Sequence, residues 1–203
     1  AETAEETSYA ALSAIGSITA DIQTSRDGGA TWLPYTLGTN IELNVGEKVY
    51  FKGDYKGMGP DDYAKFEFSG KISASGNIMT LTDGDNPGTS LEGKDYCFYG
   101  LFEGCADLTT APELPATTLT DNCYAYMFFN CTGLTEAPAL PATTLASNCY
   151  YGMFSYCTGL TEAPALPATT LADYCYYSMF GNCTGLIEAP ALLPATDLFE
   201  GCY

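Results

Sequence analysis

The sequence predicts an α/β fold, rich in β structure, in which a small antiparallel β-sandwich-like domain precedes a short solenoid of 26-residue units. The segment from Leu134 to Gly159 has a near-copy of itself on either side, and a fixed period of this length is typical of stacked repeats. Residues 14–89 instead contain short alternating apolar runs between glycine-rich turns, which indicates paired strands. The charges divide at nearly the same place. All seven Lys and Arg residues lie in the first 94 positions, whereas eleven carboxylates and no cation follow from Asp95 onwards.

The composition excludes several classes of function. A formal net charge of −18 argues against binding of a nucleic-acid backbone, which requires clustered Lys or Arg, and leaves basic partners or divalent cations open. Histidine is absent, so the usual base for a Ser or Cys nucleophile is missing. No run of 18 apolar residues is present to span a membrane. The polar, Tyr- and Thr-rich composition favours export, and a cytoplasmic protein that lacks its initiator Met is the alternative.

Residues 1–13 are acidic and rich in Ala and Ser, which predicts a flexible leader. Strands are then expected on both sides of the segment Ser25 to Trp32, which matches the S-x-D-x-G-x-T-W pattern of an Asp-box hairpin. In such a turn Asp27 bonds the turn amides and Trp32 packs beneath them. The motif resembles the Asp boxes of sialidases. The chain has only one copy and a single Arg, however, which indicates a structural turn rather than a sialidase active site.

Further along the sandwich-like domain, alternation between Ile41 and Phe51 around a Gly46-Glu47 turn predicts a hairpin, and residues 65–81 predict two more strands. A loop then closes the domain. Its oxygen-bearing side chains Asp83, Asp85 and Asn86 could ligate Ca²⁺, but they lack the spacing of a complete calcium-binding loop. A plain turn is therefore the main interpretation.

Residues 90–203 are predicted to contain a partial unit, three full units and a truncated last unit. Within one unit a short, proline-interrupted strand begins at Leu134. A helix of one or two turns is expected from Cys149 to Cys157, because Cys149, Met153 and Cys157 would form one buried stripe. The nine cysteines occur mainly as C-x7-C pairs, too far apart on a helix for a disulfide and wrongly spaced for zinc. Buried thiols that act as small apolar fillers are the prediction, with disulfides between units as the alternative.

The run MFSYCTGLTEAPALPATTL resembles the F-x-x-C-x-x-L-x-x-I-x-I-P-x-x-V pattern of BspA-type leucine-rich repeats, a family of surface proteins in Bacteroides and related bacteria. The resemblance extends over about 110 residues, from Tyr96 to Tyr203. It implies a leucine-rich-repeat solenoid at the cell surface or in a secreted protein, which recognises or adheres to protein or host-matrix ligands without catalysis. Ala and Leu stand at the usual Ile positions and the unit is longer, so the curvature is left open.

Two sets of repeated side chains are the predicted binding residues. Glu136, Glu162 and Glu188 recur at one position and should form an acidic column, and Tyr151 and Tyr177 should form an aromatic one. A solvated stripe and simple packing are the respective alternatives. We expect no catalytic residue, no cofactor and no nucleic-acid partner. A carbohydrate-binding module and a structural spacer remain alternative functions, and the sequence leaves the oligomeric state open.

Overall fold

The structure, a computed structural model, describes residues 8–203 and the backbone of residues 2–4. It is rich in β structure, as predicted, and the only α-helix among the described residues is the single turn α1 at Thr80–Asp83. None of the described helix is long or apolar enough to cross a membrane. The strands are β1 Glu2–Ala4, β2 Ser8–Ile15, β3 Ile22–Ser25, β4 Leu33–Tyr35, β5 Ile41–Leu43, β6 Lys48–Gly53, β7 Tyr63–Ser69, β8 Ile72–Ala74 and β9 Leu108–Thr110.

The strands form two small sheets, with orders β4-β3-β6-β1-β8-β9 and β5-β2-β7. Every pairing is antiparallel except that of β8 with β9. A cluster of Ala10, Leu43, Val49 and Ile72 draws its members from both sheets, which agrees with a sandwich-like packing. The predicted boundary near residue 90 separates this region from the repeats in sequence, but one hydrophobic core extends from Leu12 to Cys202 across both.

The predicted flexible leader is wrong for residues 2–4, which form β1, and for residues 8–13. Residues 8–13 belong to β2, the central strand of the three-stranded sheet, which pairs with β7 over seven residues. Ala10, Ala11 and Leu12 are buried. The small apolar side chains that suggested a disordered, Ala-rich end are therefore core residues. Residues 1 and 5–7 of that prediction lie outside the described part of the chain.

The predicted hairpin between Ile41 and Phe51 is also wrong, because β5 and β6 belong to different sheets. The turn between them closes with a hydrogen bond from the Glu47 N–H to the Asn44 carbonyl at 2.9 Å, and the chain crosses there from one sheet to the other. Alternation identified both strands, but it carries no information about which strand each one pairs with.

The Asp-box hairpin is confirmed as the connection between β3 and β4. Asp27 Oδ1 accepts hydrogen bonds from the Ser25 hydroxyl at 2.6 Å and from the Thr31 N–H at 2.9 Å. These bonds hold the pKa of the Asp27 carboxyl below its usual value. The Trp32 ring is half-buried and lies 4.4 Å from Lys52 Nζ, so the turn fixes an aromatic side chain on the sheet.

The predicted helix from Cys149 to Cys157 does not form, and a chain of tight turns replaces it. Within this turn segment every fourth residue has a positive φ: Asn148 at 54°, Gly152 at 57° and Tyr156 at 64°. An α-helix cannot contain such residues without losing its i to i−4 hydrogen bonds. The equivalent segments at 96–104, 122–130 and 174–182 contain the other non-glycine residues with positive φ in the described chain, among them Asn122, Asn130 and Asn182.

Hydrogen bonding in each turn segment alternates from one residue to the next. The Tyr151 N–H donates to the carbonyl three residues earlier, Asn148 O, at 3.1 Å. The Gly152 N–H points the other way and donates to Tyr177 O in the next unit at 2.9 Å. The same alternation continues through the other segments, so half of the amides close turns and half join neighbouring units. In the last turn segment the amides of Ser178, Phe180 and Asn182 have no hydrogen-bond acceptor among residues 8–203.

The N-terminal region donates hydrogen bonds to carbonyl groups of the first turn segment, as one repeat unit does to the next. The Phe66 N–H of β7 donates to Leu101 O at 2.7 Å, and the Gly57 N–H donates to Cys97 O at 3.4 Å. The Phe66 ring stacks on Phe102 with centroids 5.0 Å apart. It begins a column of stacked rings that continues through Phe128, Phe154 and Phe180 at 5.4–5.9 Å. The sandwich-like region therefore covers one end of the repeats with both amides and an aromatic ring.

All nine cysteines lie in the described part of the chain and are buried thiols. The second thiol of a pair donates to the carbonyl of a phenylalanine in the preceding unit, as in Cys131 to Phe102 O at 3.0 Å and Cys157 to Phe128 O at 3.0 Å. Burial raises the pKa of Cys97 and of Cys157 to about 12. Because the thiolate is the reactive form, these side chains are inert fillers at neutral pH.

Phe154→Ala should destabilise the protein by about 3–5 kcal/mol, since the ring is fully buried and its loss leaves a cavity between two stacked neighbours. Phe180→Ala is the matched control, because that ring is half-buried and the structure describes a stacking partner on one side of it only. The loss of unfolding free energy in Phe180→Ala should be clearly smaller. Equal losses of unfolding free energy in urea for the two variants would contradict a continuous ring column.

The buried thiols should also make the protein sensitive to alkali. The folded pKa of Cys97 and of Cys157, about 12, lies above the ordinary value of 9.0, so the unfolded chain loses these two protons first as the pH rises. Their stabilising contribution is complete below about pH 9 and is lost between about pH 9 and 12. The unfolding free energy should therefore fall from about pH 9 upwards, with a smaller fall in Cys157→Ala. A flat profile between about pH 8 and 10 would rule out this role for the thiols.

Candidate recognition surface

A row of tyrosine side chains, here called the tyrosine band, runs across the repeats. It consists of Tyr63 on β7 followed by Tyr99, Tyr126, Tyr151 and Tyr177, one from each successive turn segment. Successive ring centroids are 5.2, 5.7, 5.2 and 5.1 Å apart. Each of the four turn segments therefore contributes one ring to a single continuous aromatic surface.

The band is continuous although its residues do not all occupy one repeat position. Tyr99, Tyr151 and Tyr177 are equivalent, whereas the second unit has Ala125 at that position. The neighbouring residue Tyr126 fills the gap, and its ring lies over Gly152, where an added Cβ atom would come within 2.8 Å of it. The ring that covers position 152 thus excludes a side chain there, whereas the positive φ alone does not, since Tyr126 and Ser178 adopt it at the equivalent positions.

A second set of aromatic rings flanks the band and widens it. Tyr177 and Tyr156 are the most exposed of these tyrosines, at 39% and 45%, and most of the others are half-buried. The flanking contacts, at centroid distances of 5.4–5.9 Å, are Tyr96–Tyr99, Tyr126–Phe129, Phe129–Tyr156 and Tyr174–Tyr177. The result is a wide, partly exposed aromatic surface on a protein whose other ring columns are buried except at their C-terminal ends.

Carboxylates lie beside the tyrosine hydroxyls. The Tyr63 hydroxyl donates to Glu103 Oε2 at 2.8 Å, and the Tyr174 hydroxyl donates to Glu200. Burial and then the negative charge of Glu103 raise the pKa of Tyr99. Burial, together with a hydrogen bond that the Tyr126 hydroxyl donates to Tyr151, raises the pKa of Tyr126. These hydroxyls are therefore neutral at physiological pH, and no Lys or Arg follows Lys94 in the repeats to balance the carboxylates.

The predicted acidic column is partly assembled. Glu136 and Glu162 face each other across a parallel β-bridge between neighbouring units, and both side chains are exposed. Glu188 is exposed at the equivalent position of the next unit, without a bridge to Glu162 among the described contacts. These carboxylates lie in the strand part of each unit, whereas Tyr151 and Tyr177 lie in the turn segment. The two predicted sets are thus separate features of the surface.

The predicted pair Tyr151 and Tyr177 is stacked at 5.1 Å within the tyrosine band. The adjacent column of Tyr124, Tyr150 and Tyr176 is buried and stacks at 5.8 and 5.6 Å inside the core. The predicted aromatic column did not include Tyr63, Tyr99 or Tyr126. Tyr99 was detectable, because it shares the repeat position of Tyr151, but Tyr63 and Tyr126 come from other registers.

Two of the three candidate calcium ligands are already paired with lysines. Asp85 forms a salt bridge with Lys52 Nζ at 2.7 Å, and Asp83 forms one with Lys94. An ammonium group beside each carboxylate opposes a second cation, which favours the turn interpretation of this loop. Across residues 8–203 no group of three or more Cys, Asp or Glu side chains is placed to hold a metal ion.

Comparison with known proteins gives no assignment, since no family model, no curated protein and no solved structure matches the chain.

Proposed function

We propose that the chain is a non-catalytic recognition module of a cell-surface or secreted bacterial protein, which binds a protein or matrix ligand through its repeats. The observation that carries the proposal is the tyrosine band. Each of the four turn segments contributes a partly exposed ring to it, although the residue and its register differ between units.

Tyrosine suits this role because it combines a large, rigid apolar surface with a polar tip, and it is enriched at protein interfaces. A broad exposed aromatic patch is unfavourable on a soluble protein unless it is used, so such patches mark interaction sites. The rest of the turn segment is committed to the core through its Phe, Met and Cys side chains. The variable outer positions are the ones free to meet a ligand.

We also propose that the repeats are a short leucine-rich-repeat solenoid of the BspA type. Parallel bridges between equivalent residues, Glu136 with Glu162 and Thr144 with Thr170, support this relation. So do the buried leucines that begin successive units, Leu108, Leu134 and Leu160. Tight turns in place of helices are the main departure, and a surface location follows from the proposed relationship.

A glycan ligand is the second candidate, favoured by the tyrosine and carboxylate pairs Tyr63–Glu103 and Tyr174–Glu200. Catalysis is disfavoured, because the same side chains recur from unit to unit and give no unique acid and base. A spacer role would leave the tyrosine band without a ligand.

The double variant Tyr151→Ala/Tyr177→Ala should weaken binding to the cognate ligand at least about tenfold, because it removes two adjacent interface rings. Binding is measured on an immobilised panel of extracellular-matrix proteins and on a glycan array. Tyr9→Ala is the control, since Tyr9 is comparably exposed, at 36%, but lies on β2. Unchanged binding of the double variant to every ligand that the wild type binds would overturn the proposal, and so would the absence of any ligand from both panels.

A further inference from the structure

We propose that the tyrosine band binds a Lys- and Arg-rich polypeptide segment that lies along the row of repeats. This inference rests on the proposed recognition function and specifies the chemistry of the partner. Two independent features of the surface support it: the orientation of the rings, which selects a polypeptide, and the charge beside them, which selects a basic one.

The ring faces of the band are largely occupied by neighbouring rings. Tyr151 and Tyr177 are stacked at 5.1 Å, with an interplanar angle of 25°. Tyr99 makes edge contacts with both Tyr63 and Tyr126, at interplanar angles of 76° and 73°. A pyranose ring binds by lying flat on an open aromatic face, and these contacts leave mainly ring edges and hydroxyl groups for a ligand. Edges and hydroxyls instead suit the mixed apolar and polar surface of a polypeptide.

The charge beside the band is negative at both ends. Glu103 accepts the Tyr63 hydroxyl at one end, and Asp61 is close enough to influence Tyr99. At the other end Glu200 accepts the Tyr174 hydroxyl, and Asp173 is close enough to influence the same side chain. No Lys or Arg occurs from Asp95 onwards to compensate them. A basic partner is therefore attracted and oriented, whereas an acidic one is repelled.

The dimensions fit a short linear segment. Tyr63 is buried, and the four rings beyond it are separated by three steps of 5.1–5.7 Å between centroids. An extended chain rises about 3.3 Å per residue, so roughly five residues span these four rings. Basic side chains at the two ends of such a segment reach the Glu103 and Glu200 regions, and its middle lies on the tyrosine edges.

The test uses the full chain and a fluorescein-labelled decapeptide of alternating Arg and Gly, followed by fluorescence anisotropy. Peptides in which Glu or Ser replaces Arg serve as comparisons. The Arg peptide should bind and the Glu peptide should not. Glu103→Gln/Glu200→Gln should weaken binding about fivefold, because two flanking charges are lost while their hydrogen-bond acceptors are kept. Glu136→Gln/Glu162→Gln is the matched control, which removes the same charge from the acidic column and should change binding less than about twofold.

The double variant Tyr151→Phe/Tyr177→Phe keeps the rings, so it remains informative if the Ala variants fail to fold. It should weaken binding of the Arg peptide measurably and leave the melting temperature unchanged. The inference is overturned if the Arg peptide does not bind, if both Glu double variants weaken it equally, or if the Ser peptide binds as well. The inference would also be overturned by a panel ligand whose binding requires Tyr151 and Tyr177 but does not change in Glu103→Gln/Glu200→Gln or in the presence of competing Arg peptide. In that case the proposed recognition function stands without a basic partner.

Discussion

The alternation of amide direction within each turn segment is the constraint on which the rest of the molecule depends. One amide closes a turn on its own chain, as in Tyr151 to Asn148, and the next donates to the following unit, as in Gly152 to Tyr177. A single unit therefore leaves half of its segment's amides without a partner, and burial of such groups is costly. Units are stable only against a neighbour, and the sandwich-like region serves as the first neighbour through Phe66 and Gly57.

Stacking in a fixed register turns every repeated side chain into a column, and the position of a residue in the turn decides which columns are buried. Tyr150 belongs to the core and the adjacent Tyr151 to the surface. The inner columns of Phe, Cys and Tyr150-type residues are uniform because they must fill the same space in each unit. The outer surface tolerates different residues at equivalent positions. The Tyr126 ring of one unit, for example, occupies the space that a side chain at Gly152 of the next unit would need. The proposed recognition surface thus uses the positions that stacking leaves free.

Much of the architecture could be predicted from the sequence, since the repeat, the β-rich character, the Asp-box turn and the pairing of Glu136 with Glu162 all follow from local patterns. The helix at Cys149 to Cys157 could not be separated from a chain of turns by apolar spacing, because both place every fourth residue on one side. The distinguishing signal was the Asn and Gly residues four apart, which favour positive φ. Pairing of β2 with β7 and the contribution of Tyr63 to the band depend on contacts distant in sequence, which no local pattern reveals.

Amide hydrogen exchange across the last turn segment tests the alternation most directly. The amides of Tyr177, Met179 and Gly181 bond within the segment, whereas those of Ser178, Phe180 and Asn182 have no acceptor among residues 8–203. Exchange should be slow at the first three amides and fast at the second three, residue by residue. In the preceding segment the equivalent amides of Gly152, Phe154 and Tyr156 should all be protected. Uniform protection from Tyr177 to Asn182, as a helix would give, would contradict the alternating hydrogen bonds of the turn segment.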